Sequence, residues 1–157
     1  GVALLLHPLP THGGTLDKFI GDAIIAFWNA PTENPQHAKQ AVAAALDMAK
    51  ALDDFKRELA ETDGSLADFD IGIGVHTGSA VVGFLGSDDR LDYTAIGDTV
   101  NLASRIEGCT KGVARVLVSG ATRDACGTDS PFDFANHGQF HVKGREQGVD
   151  LFEPSSR

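Results

Sequence analysis

Asp22 follows Gly21 between two short apolar runs, 15–20 and 23–28, so the sequence places its carboxylate at the tip of a hairpin, projected from two strands. A carboxylate held in this way suits a hard cation such as Mg²⁺, which takes oxygen ligands and shares its other positions with substrate phosphates. A Gly-Asp pair is more often simply a turn. Farther along, Asn101 and Arg105 stand four positions apart in a helical pattern over 98–109. At about 100° per residue, Leu102, Ala103 and Ile106 gather on one side and the amide and guanidinium share the other. The guanidinium is a planar fork of donors for developing phosphoryl charge, and the amide can hold a sugar. A solvated polar face would give the same spacing.

Two neighbouring features carry less chemistry. Asp98 directly precedes the helical pattern and reads as its N-cap. The stretch 72–83, GIGVHTGSAVVG, is rich in glycine but has neither GxGxxG nor a GKS/T ending, which excludes the dinucleotide fingerprint and the P-loop. His76 within it reads as a strand residue with its ring packed or capped, because no partner acid accompanies it in the sequence.

The elements that must position these residues are legible from periodicity. Ala38, Ala41, Val42, Ala45, Leu46, Ala49, Leu52, Phe55 and Leu59 recur at helical spacing, which predicts an amphipathic helix over 36–61 that stops at Gly64. Residues 70–78 alternate, with Ile71, Ile73 and Val75 on one face and Gly72, Gly74 and His76 on the other; the glycine face invites close approach by another element. A returning strand is expected over 79–85, a polar loop over 86–90 and a further strand over 91–96. Then come the 98–109 helix, a strand at 115–119, a short helix at 122–126, and strands at 132–142 and 149–152 flanking Lys143-Gly144-Arg145. Interleaved strands and helices with hairpins predict an α+β fold, helices packed on a mixed sheet.

Composition bounds the functions available. The 157 residues are 42% hydrophobic and 22% charged, which fits a globular domain and excludes disorder. A formal net charge of −9 without a basic stripe argues against a nucleic-acid polymer as partner. Cys109 and Cys126 have neither CxxC spacing nor paired histidines, so neither zinc nor a disulfide framework is signalled, and a reducing cytoplasm is the expected location. The apolar runs fall far short of the roughly 20 residues that span a bilayer, so no membrane contact is expected from this segment, even if a longer protein is anchored elsewhere.

In GGTLDKFIGDAIIAFWNAP from Gly13, IGIGVHTGSAVVGFLGS from Ile71 and RLDYTAIGDTVNLASRIEG from Arg90, the chain resembles the class III adenylyl/guanylyl cyclase catalytic domain. The resemblance covers about 13–152. It implies a ferredoxin-like core, a homodimer with active sites at the subunit interface, and two Mg²⁺ or Mn²⁺ ions per complete site. Asp22 matches the second metal-binding aspartate of the family, and Lys18 the lysine that contacts the purine. Thr94 falls at the other base-selecting position, and Lys with Thr looks like an adenine pair where guanylyl cyclases carry Glu with Cys or Ser. Asn101 matches the ribose-orienting residue and Arg105 the residue that stabilises the transferring phosphorus. Lys143 and, more loosely, Arg90 fall where the triphosphate is met. The implied reaction converts ATP to 3′,5′-cyclic AMP and pyrophosphate.

The pattern departs from the family at its front. Members of the family open with a strand bearing Phe-x-Asp, the first metal ligand, and a helix; the twelve residues before Gly13 contain no acid and read as an irregular remnant ahead of a catalytic domain spanning 13–157. A fragment without that strand, helix and aspartate is expected to bind metal poorly and to have little activity alone. The competing reading is a non-catalytic cyclase-like module that dimerises or senses a nucleotide, against which stands the retention of Lys18, Asp22, Asn101 and Arg105 together.

Overall fold

The computed structural model describes residues 15–20, 23–29, 33–62, 71–79, 81–87, 90–96, 98–141 and 148–157, with the backbone alone at 15–20, 23–25, 59–60, 62, 81–87 and 90–96. In chain order the elements are β1 (Thr15–Ile20), β2 (Ala23–Phe27), α1 (His37–Thr62), β3 (Ile73–Val75), β4 (Val81–Ser87), β5 (Arg90–Ile96), α2 (Asp98–Gly108), β6 (Val116–Ser119), α3 (Gly120–Cys126), β7 (Phe132–Phe140) and β8 (Val149–Ser156).

Every residue of β6 is buried, which follows from helices covering both of its faces. Val116 and Val118 point into a core built with Ala38, Val42 and Ala45 of α1, Cys126 of α3, and Phe132 and Phe152. Leu117, which alternates to the other side, meets Leu102 and Ile106 of α2 together with Leu151. A mixed sheet therefore lies between α1 with α3 and the shorter α2. Its order is β3-β6-β8-β7, with β3 parallel to β6 and both other pairings antiparallel. β1 with β2 and β4 with β5 form two antiparallel hairpins, and β1 lies beside β5.

Local chemistry accounts for the element ends. Before α1, the Asn34 side chain accepts the Gln36 N–H at 2.9 Å and donates to Gln40 at 2.7 Å, tying the entry loop to the first turn. The alanines of α1 let it sit close to the sheet, and the Arg115–Asp53 ion pair joins its outer side to the chain entering β6. At the free edge of the sheet, β7 carries a bulge between Asn136 and Gln139 in which Gly138 adopts φ 88° and donates its N–H to Asn136 Oδ1 at 2.7 Å. That irregularity spoils the edge as a template for pairing with another chain. Cys109 and Cys126 are free, and burial pushes both thiols up.

The expected elements are present with shifted bounds. The strand expected over 70–78 is regular only at β3, because Thr77 and its neighbours bond to other elements. The loop expected over 86–90 is tighter, since Ser87 and Arg90 still pair. β8 runs on through Pro154, where β7 is its neighbour but β6 no longer pairs, so a residue without an N–H fits the ladder. The Lys143-Gly144-Arg145 segment lies outside the described residues.

The glycine face of β3 is occupied by the backbone of α2. A Cβ on Gly74 would lie 2.4 Å from Glu107 N and 2.6 Å from Ala103 O, and one on Gly72 would lie 1.8 Å from Thr110 Oγ1. Helix and strand can approach this closely only without side chains between them. Gly74→Ala therefore has to push α2 outward, at a cost near the upper end for overpacking, about 3 kcal/mol. A melting temperature lower by roughly 6–12 °C is expected for a domain of this size. Gly108→Ala, whose Cβ meets nothing within 4 Å, is the control; equal melting of the two variants would contradict the packing.

Candidate active site

α2 sorts its side chains as its periodicity requires. Leu102 and Ile106 are buried at 2% and 0% exposure, whereas Asn101 and Arg105 are exposed on the opposite side, one turn apart. The glycines beneath Ala103 and Glu107 fix the helix on the sheet, so the amide and guanidinium project from a rigid mount. Arg105 also lies in the last turn, where its charge complements the carbonyl end of the helix.

Arg105 borders an open cleft of about 660 Å³. Its floor is apolar, formed by Leu117, Phe140 and Leu151, and its rim carries Lys111, His137 and Gln139 beside the guanidinium. Such a rim favours anions. His137 Nε2 is 3.2 Å from Glu153 Oε1, which steadies that ring on the bulged strand. Nothing in the sequence singled these rim residues out. Lys111 stands past the end of α2, beyond helical periodicity, and His137 reaches the cleft only through strand pairing.

The remaining sequence candidates are placed by the backbone. Lys18 pairs with Ile25 within the β1–β2 hairpin, just after a register irregularity. Asp22 falls in sequence between the paired residues Ile20 and Ala23 and lies outside the described residues. Thr94 pairs with Gly83 on β5. Since β1 lies beside β5 and β5 lies against α2, the strands of Lys18 and Thr94 and the helix of Asn101 and Arg105 form one neighbourhood. Arg90 opens β5 and is paired with Ser87 at the far end of the β4–β5 hairpin. Six residue steps along the strand carry it about 20 Å from Ile96, so one chain does not bring it to the start of α2. Lys143, after β7, lies outside the described residues.

His76 is engaged as a packed residue, its Nδ1 2.8 Å from Ser119 Oγ. No group of three or more His, Cys, Asp or Glu side chains that could hold a metal occurs among the described residues. No helix among the described residues is long and apolar enough to cross a membrane.

Comparison with known proteins identifies the family of the fold. Residues 13–152 match the family described as "Adenylate and Guanylate cyclase catalytic domain". "Adenylate cyclase 1" of Rhizobium meliloti (strain 1021) is 41% identical over 151 residues, covering 96% of this chain and 22% of that protein. The terminal-differentiation specific adenylate cyclase of Dictyostelium discoideum is 34% identical over 97% of this chain and 7% of its own length. The chain thus spans less than a third of these relatives. Among solved structures, the adenylyl cyclase CyaB from P. aeruginosa superposes with a TM-score of 0.86 at 30% identity, covering 99% of this chain and 79% of that one. The guanylyl cyclase Cya2 gives the same TM-score, 0.86, at 29% identity, with 98% and 76% covered. An α+β domain with an amide and a guanidinium displayed on a glycine-seated helix, matched over nearly its whole length, belongs to the adenylate and guanylate cyclase catalytic domain family.

Proposed function

We propose that this domain works in an adenylyl cyclase that converts ATP to 3′,5′-cyclic AMP and pyrophosphate at the interface of a homodimer. The observation that carries the reading is the exposed Asn101–Arg105 face of α2, rigidly mounted and next to the strand that bears Thr94, which itself lies beside the strand of Lys18. The names of the relatives, adenylate cyclases at 41% and 34% identity, support adenine over guanine. The Lys18–Thr94 pair supports it from the base side.

In this reading Lys18 and Thr94 receive the purine edge, and Asn101 holds the ribose so that its 3′-oxygen faces the α-phosphorus. The 3′-hydroxyl gives its proton to solvent as its oxygen bonds to that phosphorus, and the bond from the α-phosphorus to the bridging oxygen breaks to release pyrophosphate. Arg105 sets its fork of donors against the charge that grows on the phosphoryl oxygens. Lys143 and Arg90 serve the triphosphate, Arg90 from the far end of its hairpin toward the partner subunit. The family chemistry calls for Mg²⁺ or Mn²⁺, for which the sequence offers Asp22 as a ligand that would hold the ion beside the phosphates; no step is assigned through the metal. A cytoplasmic location accords with ATP as substrate.

Full-length protein supplied with ATP and Mg²⁺ or Mn²⁺ is expected to accumulate cyclic AMP; preferential formation of cyclic GMP from GTP would reverse the base assignment. Arg105→Ala in that protein should lower kcat by about 10²–10³, the loss typical of one transition-state donor, while KM changes little. A raised KM with kcat intact would remove Arg105 from the transition state. Lys18→Glu combined with Thr94→Cys should shift preference toward GTP by placing an acceptor against the guanine amino edge. Unchanged preference for ATP in steady-state competition would show that these positions do not read the base.

A further inference from the structure

The segment His76–Ser79 leaves β3 and is bonded to its surroundings at nearly every step. His76 Nδ1 is 2.8 Å from Ser119 Oγ and Thr77 Oγ1 is 2.9 Å from Thr122 Oγ1. Ser119 and Thr122 are buried at 1% and 0% exposure at the start of α3, and Thr122 also donates to the Val75 carbonyl at 3.4 Å. On the other side stands Thr99, in the first turn of α2. Its hydroxyl donates to the Ser79 carbonyl at 2.5 Å, and a Cβ on Gly78 would come within 2.7 Å of that hydroxyl and 3.5 Å of His76 Nε2. Ser79 is thus a fixed acceptor, anchored through buried hydroxyls, and Thr99 is pressed against the segment that holds it.

The position of this bond in the fold gives it consequence. β4 begins two residues after Ser79, and its first residue, Val81, pairs with Ile96, the last of β5. Thr99 follows three residues after Ile96, so its hydroxyl adds one more link below the last rung of the β4–β5 hairpin. The bond joins residues twenty positions apart, which a helix-capping threonine bonding within its own turn does not do. We propose that Thr99 is a positioning residue that clasps the base of the β4–β5 hairpin to α2, keeping Thr94 in register with Asn101 and Arg105. Its catalytic consequence rests on the adenylyl cyclase reading above; the clasp itself does not.

Thr99→Val keeps the shape and removes the hydroxyl, and Thr99→Ser restores it. Amide hydrogen exchange on the 157-residue chain is expected to quicken roughly five- to tenfold at 79–82 and 98–102 in Thr99→Val, the loss of one hydrogen bond, with α1 and β7–β8 unchanged and Thr99→Ser like the wild type. In the full-length protein, Thr99→Val should lower kcat about tenfold through misplacement, relax the preference for ATP over GTP and leave KM for ATP within about threefold. Wild-type exchange in Thr99→Val would overturn the clasp. Faster exchange with wild-type kcat and base preference would overturn the positioning role. A wild-type protein that makes no cyclic nucleotide would overturn the function reading and the catalytic consequence with it, while the exchange measurement still decides the clasp.

Discussion

The contact between the backbone of α2 and the glycine face of β3 governs the placement of the candidate site. Any side chain at Gly74 would occupy space now filled by Glu107 N and Ala103 O, so the depth of the helix on the sheet is set by the absence of a Cβ. Depth, in turn, sets direction. With Leu102 and Ile106 driven onto Leu117 and Leu151, the rotation of α2 about its axis is fixed, and Asn101 and Arg105 can point only outward. A helix seated on bulkier residues would retain the same sequence motif while placing the guanidinium elsewhere, and a loss of about 1 Å in placement is enough to damage catalysis severely.

The rest of the core supports that seat. β6 is sealed from both sides, so the strand paired with β3 cannot shift toward either helix layer without opening the core around Val118 or Leu117. α1, long and alanine-rich, contributes close packing on the side away from the candidate site. The division of labour is physical: one sheet face gains stability through α1 and α3, while among the described residues the other packs against the short α2 and leaves an open cleft next to Arg105.

Much of this could be read from the sequence because it depends on local period. Alternation of glycine with Ile71, Ile73 and Val75 foretold a close neighbour, and the spacing of Leu102, Ala103 and Ile106 foretold the face shared by Asn101 and Arg105. What could not be read depends on long-range pairing. The sequence gives no sign that Lys111, His137 and Gln139 converge on the same cleft, since three elements bring them there. Strand ends follow long-range bonds in the same way: β3 is short because Thr77 bonds to Thr122 across 45 positions, and β8 passes Pro154 because β6 no longer flanks it there. The adenine assignment came from family resemblance, since nothing in the spacing of Lys18 and Thr94 alone identifies a base.

An exposed guanidinium raises a last requirement. Two unit charges 4 Å apart gain only about 1 kcal/mol in bulk water but about 4 kcal/mol at the effective dielectric near a protein surface. Arg105 on the open face of one chain is on the weak side of that comparison, and a net charge of −9 further opposes the approach of any polyphosphate. The first difficulty would ease if a second copy covered the face of α2, because the cover would exclude water around the guanidinium. The exposure of Asn101 and Arg105 therefore accords with the proposed two-subunit site: the residues are rigidly held, as catalysis requires, and a second copy would supply the low-dielectric enclosure.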